Sequence, residues 1–170
     1  TDTLTPTFTA TFTPTFTLTP TTTFTPTPTL TLTPTFTPIP TITCTTAANP
    51  SALVSAITAA NANGASPDTI CLTNSTYGFF SAANSIALPS ITTPITIVGN
   101  GAILDRGGGA PQFRLFNVTS SGSLTLQNLT VRNFNAGGGN GGAIINAGNL
   151  TLDGVTLTGN AARFGGAIHS

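Results

Sequence analysis

Four aspartates, four arginines and one histidine carry the charge chemistry of this 170-residue chain: Asp2, Asp68, Asp105 and Asp153; Arg106, Arg114, Arg132 and Arg163; and His169. Glycoside hydrolysis needs two carboxylates about 5–9.5 Å apart. Proton abstraction beside a carbonyl needs a positioned base, commonly with a cation held among clustered acids. Asp105 and Asp153 are the pair whose spacing suggests alignment in a repeating structure, and Asp105-Arg106 is the only adjacent acid–base pair. Aspartates among Asn and Gly ordinarily cap turns, and that is the role expected of Asp68, Asp105 and Asp153. His169 has no evident partner and is expected to be structural. There is no phosphate loop, no metal-spaced Cys/His set and no nucleophile elbow. Gly107-Gly108-Gly109 and Gly137-Gly138-Gly139 lack a strand-to-helix context and read as corners. No catalytic residue, metal site or cofactor is expected.

The abundant chemistry is that of hydroxyls and amides. Pro-flanked threonines are the composition of O-glycosylated stalks; the candidates are Thr5, Thr7, Thr13, Thr15, Thr19, Thr21, Thr25, Thr27, Thr29, Thr33, Thr35 and Thr37. Asn-X-Ser/Thr sequons stand at Asn74, Asn117, Asn128 and Asn149, where N-glycosylation competes with the ordinary use of Asn at corners. Cys44 and Cys71 flank a predicted helix. In a Thr- and Asn-rich chain without Lys or Glu they suit an oxidising compartment and a disulfide; the other arrangement is two unpaired buried thiols. Such a bridge would staple the end of the N-terminal tract to the first repeat, worth roughly 3 kcal/mol in the chain-entropy model.

The formal net charge is zero, so the chain has no electrostatic footprint for nucleic acid or an anionic membrane. No apolar run reaches the length of a bilayer span. The absence of Met and of a signal peptide points to a processed or partial chain, and the last residues, Gly165-Gly166-Ala167-Ile168, restart an earlier motif as a truncated domain would.

From Thr1 to Thr43 every odd position is Thr except Ile39, with Phe, Leu and Pro prominent at the even ones. A period of two means an extended chain with one hydroxyl and one apolar face. Proline and β-branched threonine exclude helix, and recurrent proline excludes a central strand. The expectation is polyproline II or an isolated extended strand, held by glycans on the Thr face and by neighbouring copies on the apolar face. Forty-odd such residues would span roughly 140 Å, against about 25 Å for five stacked strands.

Residues 44–170 read differently. Asn49-Pro50 is an N-cap followed by proline at the first helical position, and Leu53, Val54, Ile57 and Ala60 recur on one face up to Asn63-Gly64, giving a capping helix over about 50–62. Short strands are expected over 69–72, 95–98, 113–117, 123–126, 129–131, 150–152 and 155–157. Gly122–Val131 matches Gly148–Leu157, and Gly141-Gly142-Ala143-Ile144 recurs at Gly165-Gly166-Ala167-Ile168. Repeats in the twenties of residues specify a solenoid, with Leu150, Leu152, Val155 and Leu157 stacked on Leu124, Leu126, Leu129 and Val131.

With Cys44, the Ser51–Asn63 helix, Pro67-Asp68-Thr69-Ile70, Ile95-Thr96-Ile97-Val98-Gly99-Asn100-Gly101 and the two Gly-Gly-Ala-Ile motifs, the chain resembles right-handed parallel β-helix proteins of bacterial surfaces, including polymorphic outer-membrane adhesins. The N-terminal tract is similar to Thr/Pro linkers and to repeats of glycan-coated extracellular fibrils. The resemblance implies an all-β fold: an extended Thr/Pro-rich stalk over 1–43, then the N-terminal part of a right-handed parallel β-helix with a capping helix over 44–170. It implies a structural, non-enzymatic subunit of a glycosylated filament at the cell surface or outside the cell, its partners being copies of itself and covalent glycans. The fold also hosts adhesins, carbohydrate-binding modules and polysaccharide-degrading enzymes, so those readings stand beside it.

Overall fold

Alternation of threonine with apolar residues and proline produces two extended segments in the N-terminal tract, β1 (Thr9–Thr19) and β2 (Thr27–Thr37), which pair antiparallel. The computed structural model describes residues 9–19, 27–37, 44–64 and 67–170. The chain separates into two units, Thr1–Ile42 and Thr43–Ser170. The pairing of β1 with β2 corrects the expectation of polyproline II or an isolated strand. A two-stranded ribbon has no central strand, so the argument from proline does not apply to it. The register sets Thr opposite Thr throughout, for example Thr13 with Thr33, and sets Pro14 opposite Leu32 and Phe12 opposite Pro34. Opposed residues in an antiparallel pair alternate between hydrogen-bonded and non-hydrogen-bonded classes. Pro14, Pro28 and Pro34 all fall in the even class, so a ladder made by the threonine class loses no donor. The antiparallel return also replaces one long extension by two strands of 11 residues, each about 35 Å long.

The second unit begins with β3 (Thr45–Ala47) and α1 (Pro50–Ala62), followed by β4 (Asp68–Leu72), β5 (Thr76–Phe79), β6 (Pro94–Val98), β7 (Ile103–Arg106) and β8 (Phe116–Val118). It continues with β9 (Ser123–Gln127), β10 (Thr130–Arg132), β11 (Ile144–Asn146), β12 (Asn149–Asp153), β13 (Thr156–Thr158) and β14 (Ile168–His169). The fold is thus mostly β, with one helix. The strands form three sheets of five, four and three members, in the orders β12-β9-β6-β4-β3, β13-β10-β7-β5 and β14-β11-β8. Every pairing within these three is parallel.

The helix starts where its caps dictate: the Asn49 side chain accepts the Ala52 N–H at 2.9 Å, with Pro50 opening the first turn. Its buried face is Leu53, Ala56, Ile57 and Ala60; Val54, expected on that face, is only half-buried. That face packs on β3, β4 and β5, so α1 lies against the ends of two sheets.

Strands β4, β5, β6, β8, β9 and β10 alternate buried and outward residues, as half-buried strands must. Ile95 and Ile97 of β6, Leu124 and Leu126 of β9, and Leu104 of β7 are fully or almost fully buried. The expected stacking is found in the register, with Leu150 on Leu124, Leu152 on Leu126 and Leu157 on Val131. The change of phase after Gln127 is a left-handed residue, Asn128 at φ 51°, and Gly154 at φ 61° takes its place one repeat on. β3, β5, β7, β11 and β14 lie where no strand was expected. β5 contains Gly78, β11 is a three-residue strand just after Gly141-Gly142, β7 ends on a charged pair, and β3 and β14 have three and two residues. Inside, the Phe79 and Phe134 rings stand 5.9 Å apart and those of Phe113 and Phe134 6.1 Å, in tilted and edge-on arrangements favoured by the ring quadrupoles.

Candidate functional site

The outward face of the four-stranded sheet carries the one ion pair found among the described residues. Its buried residues are Tyr77, Phe79, Leu104 and Val131, which turns Gly78, Asp105, Arg132 and Thr158 outward in one row across β5, β7, β10 and β13. Arg132 donates to Asp105 Oδ2 at 2.8 Å, and the Asn133 amide donates to Oδ1, also at 2.8 Å. Arg106 Nε donates to the Asn133 carbonyl at 2.7 Å, and its guanidinium also reaches the Ala110 and Pro111 carbonyls. Both carboxylate oxygens of Asp105 are therefore occupied, and Asp105, Arg132 and Asn133 form a neutral polar patch with the Arg106 guanidinium bound at its edge.

Beside it stands Phe80, 66% exposed. A Cβ added at Gly107 would lie 2.1 Å from the Phe80 ring and one at Gly78 2.9 Å from it. The ring is seated on two glycines because only glycine leaves room for it. Sequence reading passed over Phe80. The glycines two residues before it and two residues after Asp105 were the available signal, but they become informative only once the register sets Gly78 opposite Asp105.

Asp105 and Asp153 are not brought together: Asp105 belongs to β7, and Asp153 closes β12 of the five-stranded sheet, opposite Gln127. They are not the aligned pair their spacing allowed, and neither takes the corner role expected of it, since each lies in a strand. Asp105 pairs with Arg132 and not with its chain neighbour Arg106, because consecutive residues of a strand point to opposite faces. Asp68 opens β4 and accepts from the Asn63 amide at 3.0 Å. His169, expected to lack a partner, has Nε2 3.3 Å from the Asn140 amide nitrogen. Among the described residues no group of three or more His, Cys, Asp or Glu is placed to hold a metal, and no helix is long and apolar enough to cross a membrane.

Cys44 and Cys71 are joined by a disulfide with Cα atoms 5.7 Å apart. The sequons differ in setting. Asn74, Asn128 and Asn149 are exposed, whereas Asn117 is half-buried and donates to Ser90 Oγ at 2.8 Å. Of the candidate threonines, Thr5, Thr7, Thr21 and Thr25 lie outside the described residues. Thr13, Thr15 and Thr19 lie in β1, and Thr27, Thr29, Thr33, Thr35 and Thr37 in β2. A second threonine array comes from the fold alone: Thr69, Thr96, Thr125 and Thr151 share one register position across β4, β6, β9 and β12, about 4.8 Å from strand to strand. The chain matches no protein-family model, no curated protein and no solved structure.

Proposed function

We propose that the chain is a structural, non-enzymatic subunit of a glycosylated filament at the cell surface or outside the cell, and that its second unit is a right-handed parallel β-helix closed at one end by α1. One observation carries this reading. Each sheet of the second unit is a parallel stack whose strands pair at a near-constant sequence interval, as in Ile95 with Leu124 and Leu124 with Leu150. Such a stack is lengthened by adding strands at its end without redesigning its interior. The threonine-rich ribbon supplies the second support, since hydroxyl arrays flanked by proline are glycan attachment surfaces and the nearly uncharged chain needs another source of solubility. No catalysis is assigned to Asp68, Asp105 or Asp153. Imaging and intact mass of the native particle test the reading: polymers heavier per subunit than the bare polypeptide are expected. Dispersed particles of bare polypeptide mass would defeat it.

A second reading rests on Phe80. An exposed aromatic ring beside a neutral Asp–Arg–Asn patch suits a hydroxylated ring, so the second unit reads alternatively as a carbohydrate-binding or adhesive head. Under this reading Phe80→Ala abolishes polysaccharide retention on an affinity gel; unchanged retention, or none by the parent chain, rejects it.

A further inference from the structure

Three Asn-Gly pairs occur in the sequence: Asn63-Gly64, Asn100-Gly101 and Asn140-Gly141. Such a pair is able to modify itself. The backbone nitrogen of the glycine attacks the side-chain carbonyl carbon of the asparagine, and the amide nitrogen leaves as ammonia, carrying away the proton that the glycine gives up. The cyclic imide then takes up one water and opens to aspartate, or to isoaspartate, in which the chain runs through the side chain. Glycine favours the first step because it has no Cβ to hinder the rotation that closes the ring. The step also needs that nitrogen free, since an N–H held in a hydrogen bond must first be released by local opening.

The fold treats the three pairs differently. The Gly101 N–H donates to the Asn128 carbonyl at 2.8 Å, and Asn100 Nδ2 donates to the Leu72 carbonyl at 2.9 Å. The Gly141 N–H donates to the Phe164 carbonyl at 2.9 Å, and Gly141 is buried. Both of these glycine nitrogens are tied to the following repeat. Asn63 and Gly64 lie at the C-terminus of α1, and both are exposed. The Gly64 N–H makes no backbone hydrogen bond among the described residues, and nothing lies within 4 Å of the place a Gly64 Cβ would take. Asn100 is exposed as well, so exposure does not separate the pairs; the bonded glycine nitrogen does.

We infer that Asn63-Gly64 is a self-modification site, and that its conversion weakens the end of α1. Asn63 Nδ2 donates to Asp68 Oδ1 at 3.0 Å. Conversion replaces that donor by a carboxylate facing a carboxylate, and it puts negative charge at a helix C-terminus, where the dipole disfavours it. The turn affected is the one that fastens α1 to the segment before β6. There Asn61 Nδ2 donates to the Ser90 carbonyl at 2.8 Å, and Asn61 Oδ1 accepts from the Thr92 N–H at 3.0 Å and the Thr92 hydroxyl at 2.8 Å. The conversion needs only water, and neither a filament, an enzyme nor a partner.

The 170-residue chain is aged in mildly alkaline buffer, folded and in urea, and each Asn-Gly pair is followed by peptide mass mapping. In the folded chain Asn63 is expected to convert about tenfold or more faster than Asn100 and Asn140. In urea, where no glycine nitrogen is held, the three rates converge. Equal rates in the folded chain overturn the inference. So does a preference for Asn63 that persists in urea, because local sequence and not the fold would then select the site. The consequence is read by amide exchange on the unaged Asn63→Asp variant. Ala60, Asn61 and Ala62 exchange about threefold or more faster than in the parent, while Leu124 and Leu126 exchange alike in both. Unchanged exchange in that turn overturns the weakening. Asn63→Gln, whose longer side chain closes its ring far more slowly, holds its exchange constant through ageing; protection lost with age in this variant would assign the weakening to another site.

Discussion

Tyr77 shows how a single buried polar atom ties the second unit together. The side chain is fully buried; its hydroxyl donates to the Ala47 carbonyl at 2.6 Å and accepts the Thr73 N–H at 3.0 Å. It thereby links β3, β5 and the turn after β4. Tyr77→Phe keeps the ring and strands two backbone groups, so it should cost about 1–3 kcal/mol, read as a lower urea midpoint at unchanged slope. Tyr77 was illegible in the sequence as anything but a lone aromatic, because its partner Ala47 lies 30 residues away. The Asp105–Arg132 pair is a different case. Arg132 keeps 39% of its side chain exposed, and partly exposed ion pairs contribute little, so its role is to hold the patch beside Phe80 in shape.

At the scale of elements, the disulfide and the glycine corners do what the short strands cannot do alone. Cys44 and Cys71 are 27 residues apart in sequence, and closing a loop of that size is worth about 3–4 kcal/mol in the chain-entropy model. The Cys44→Ser/Cys71→Ser variant should lower the thermal midpoint of the second unit by several degrees, and scanning calorimetry in the presence and absence of reductant checks it; an unchanged midpoint would show that α1 and β3 hold without the staple. Gly142 marks the closest approach between repeats: a Cβ there would lie 2.0 Å from the Gly166 carbonyl oxygen and 2.5 Å from that of Ala161. The recurrence of Gly-Gly-Ala-Ile was plain in the sequence; that its second glycine is a contact point between stacked backbones was not. Helix α1 was legible almost to the residue, because its cap is local chemistry. β5 and β7 were not, because a glycine and a charged pair break the alternation that marks a strand.

For the molecule as a whole, neutrality is the controlling property. With a formal net charge of zero and neither Lys nor Glu, self-association would have almost no long-range electrostatic component to screen. Under the filament reading, assembly should therefore change by less than about twofold over a tenfold rise in salt, measured as the critical concentration by sedimentation. A steep salt dependence would point instead to the arginine-bearing faces as the assembly surface.

Local patterns in the sequence determined a good deal: the period-two extended tract, the capped helix, the leucine stacking of β12 on β9, and the corner after Gln127. Each is readable because its cause lies within a few residues, or in a direct repeat. Only the tertiary structure decided which residues meet across repeats. It separated Asp105 from Asp153 and gave Asp105 to Arg132, and it seated Phe80 on Gly78 and Gly107. It also aligned Thr69, Thr96, Thr125 and Thr151, and folded the extended tract back into a ribbon. These outcomes turn on register and on pairing between distant segments, where a shift of one residue moves every side chain to the other face.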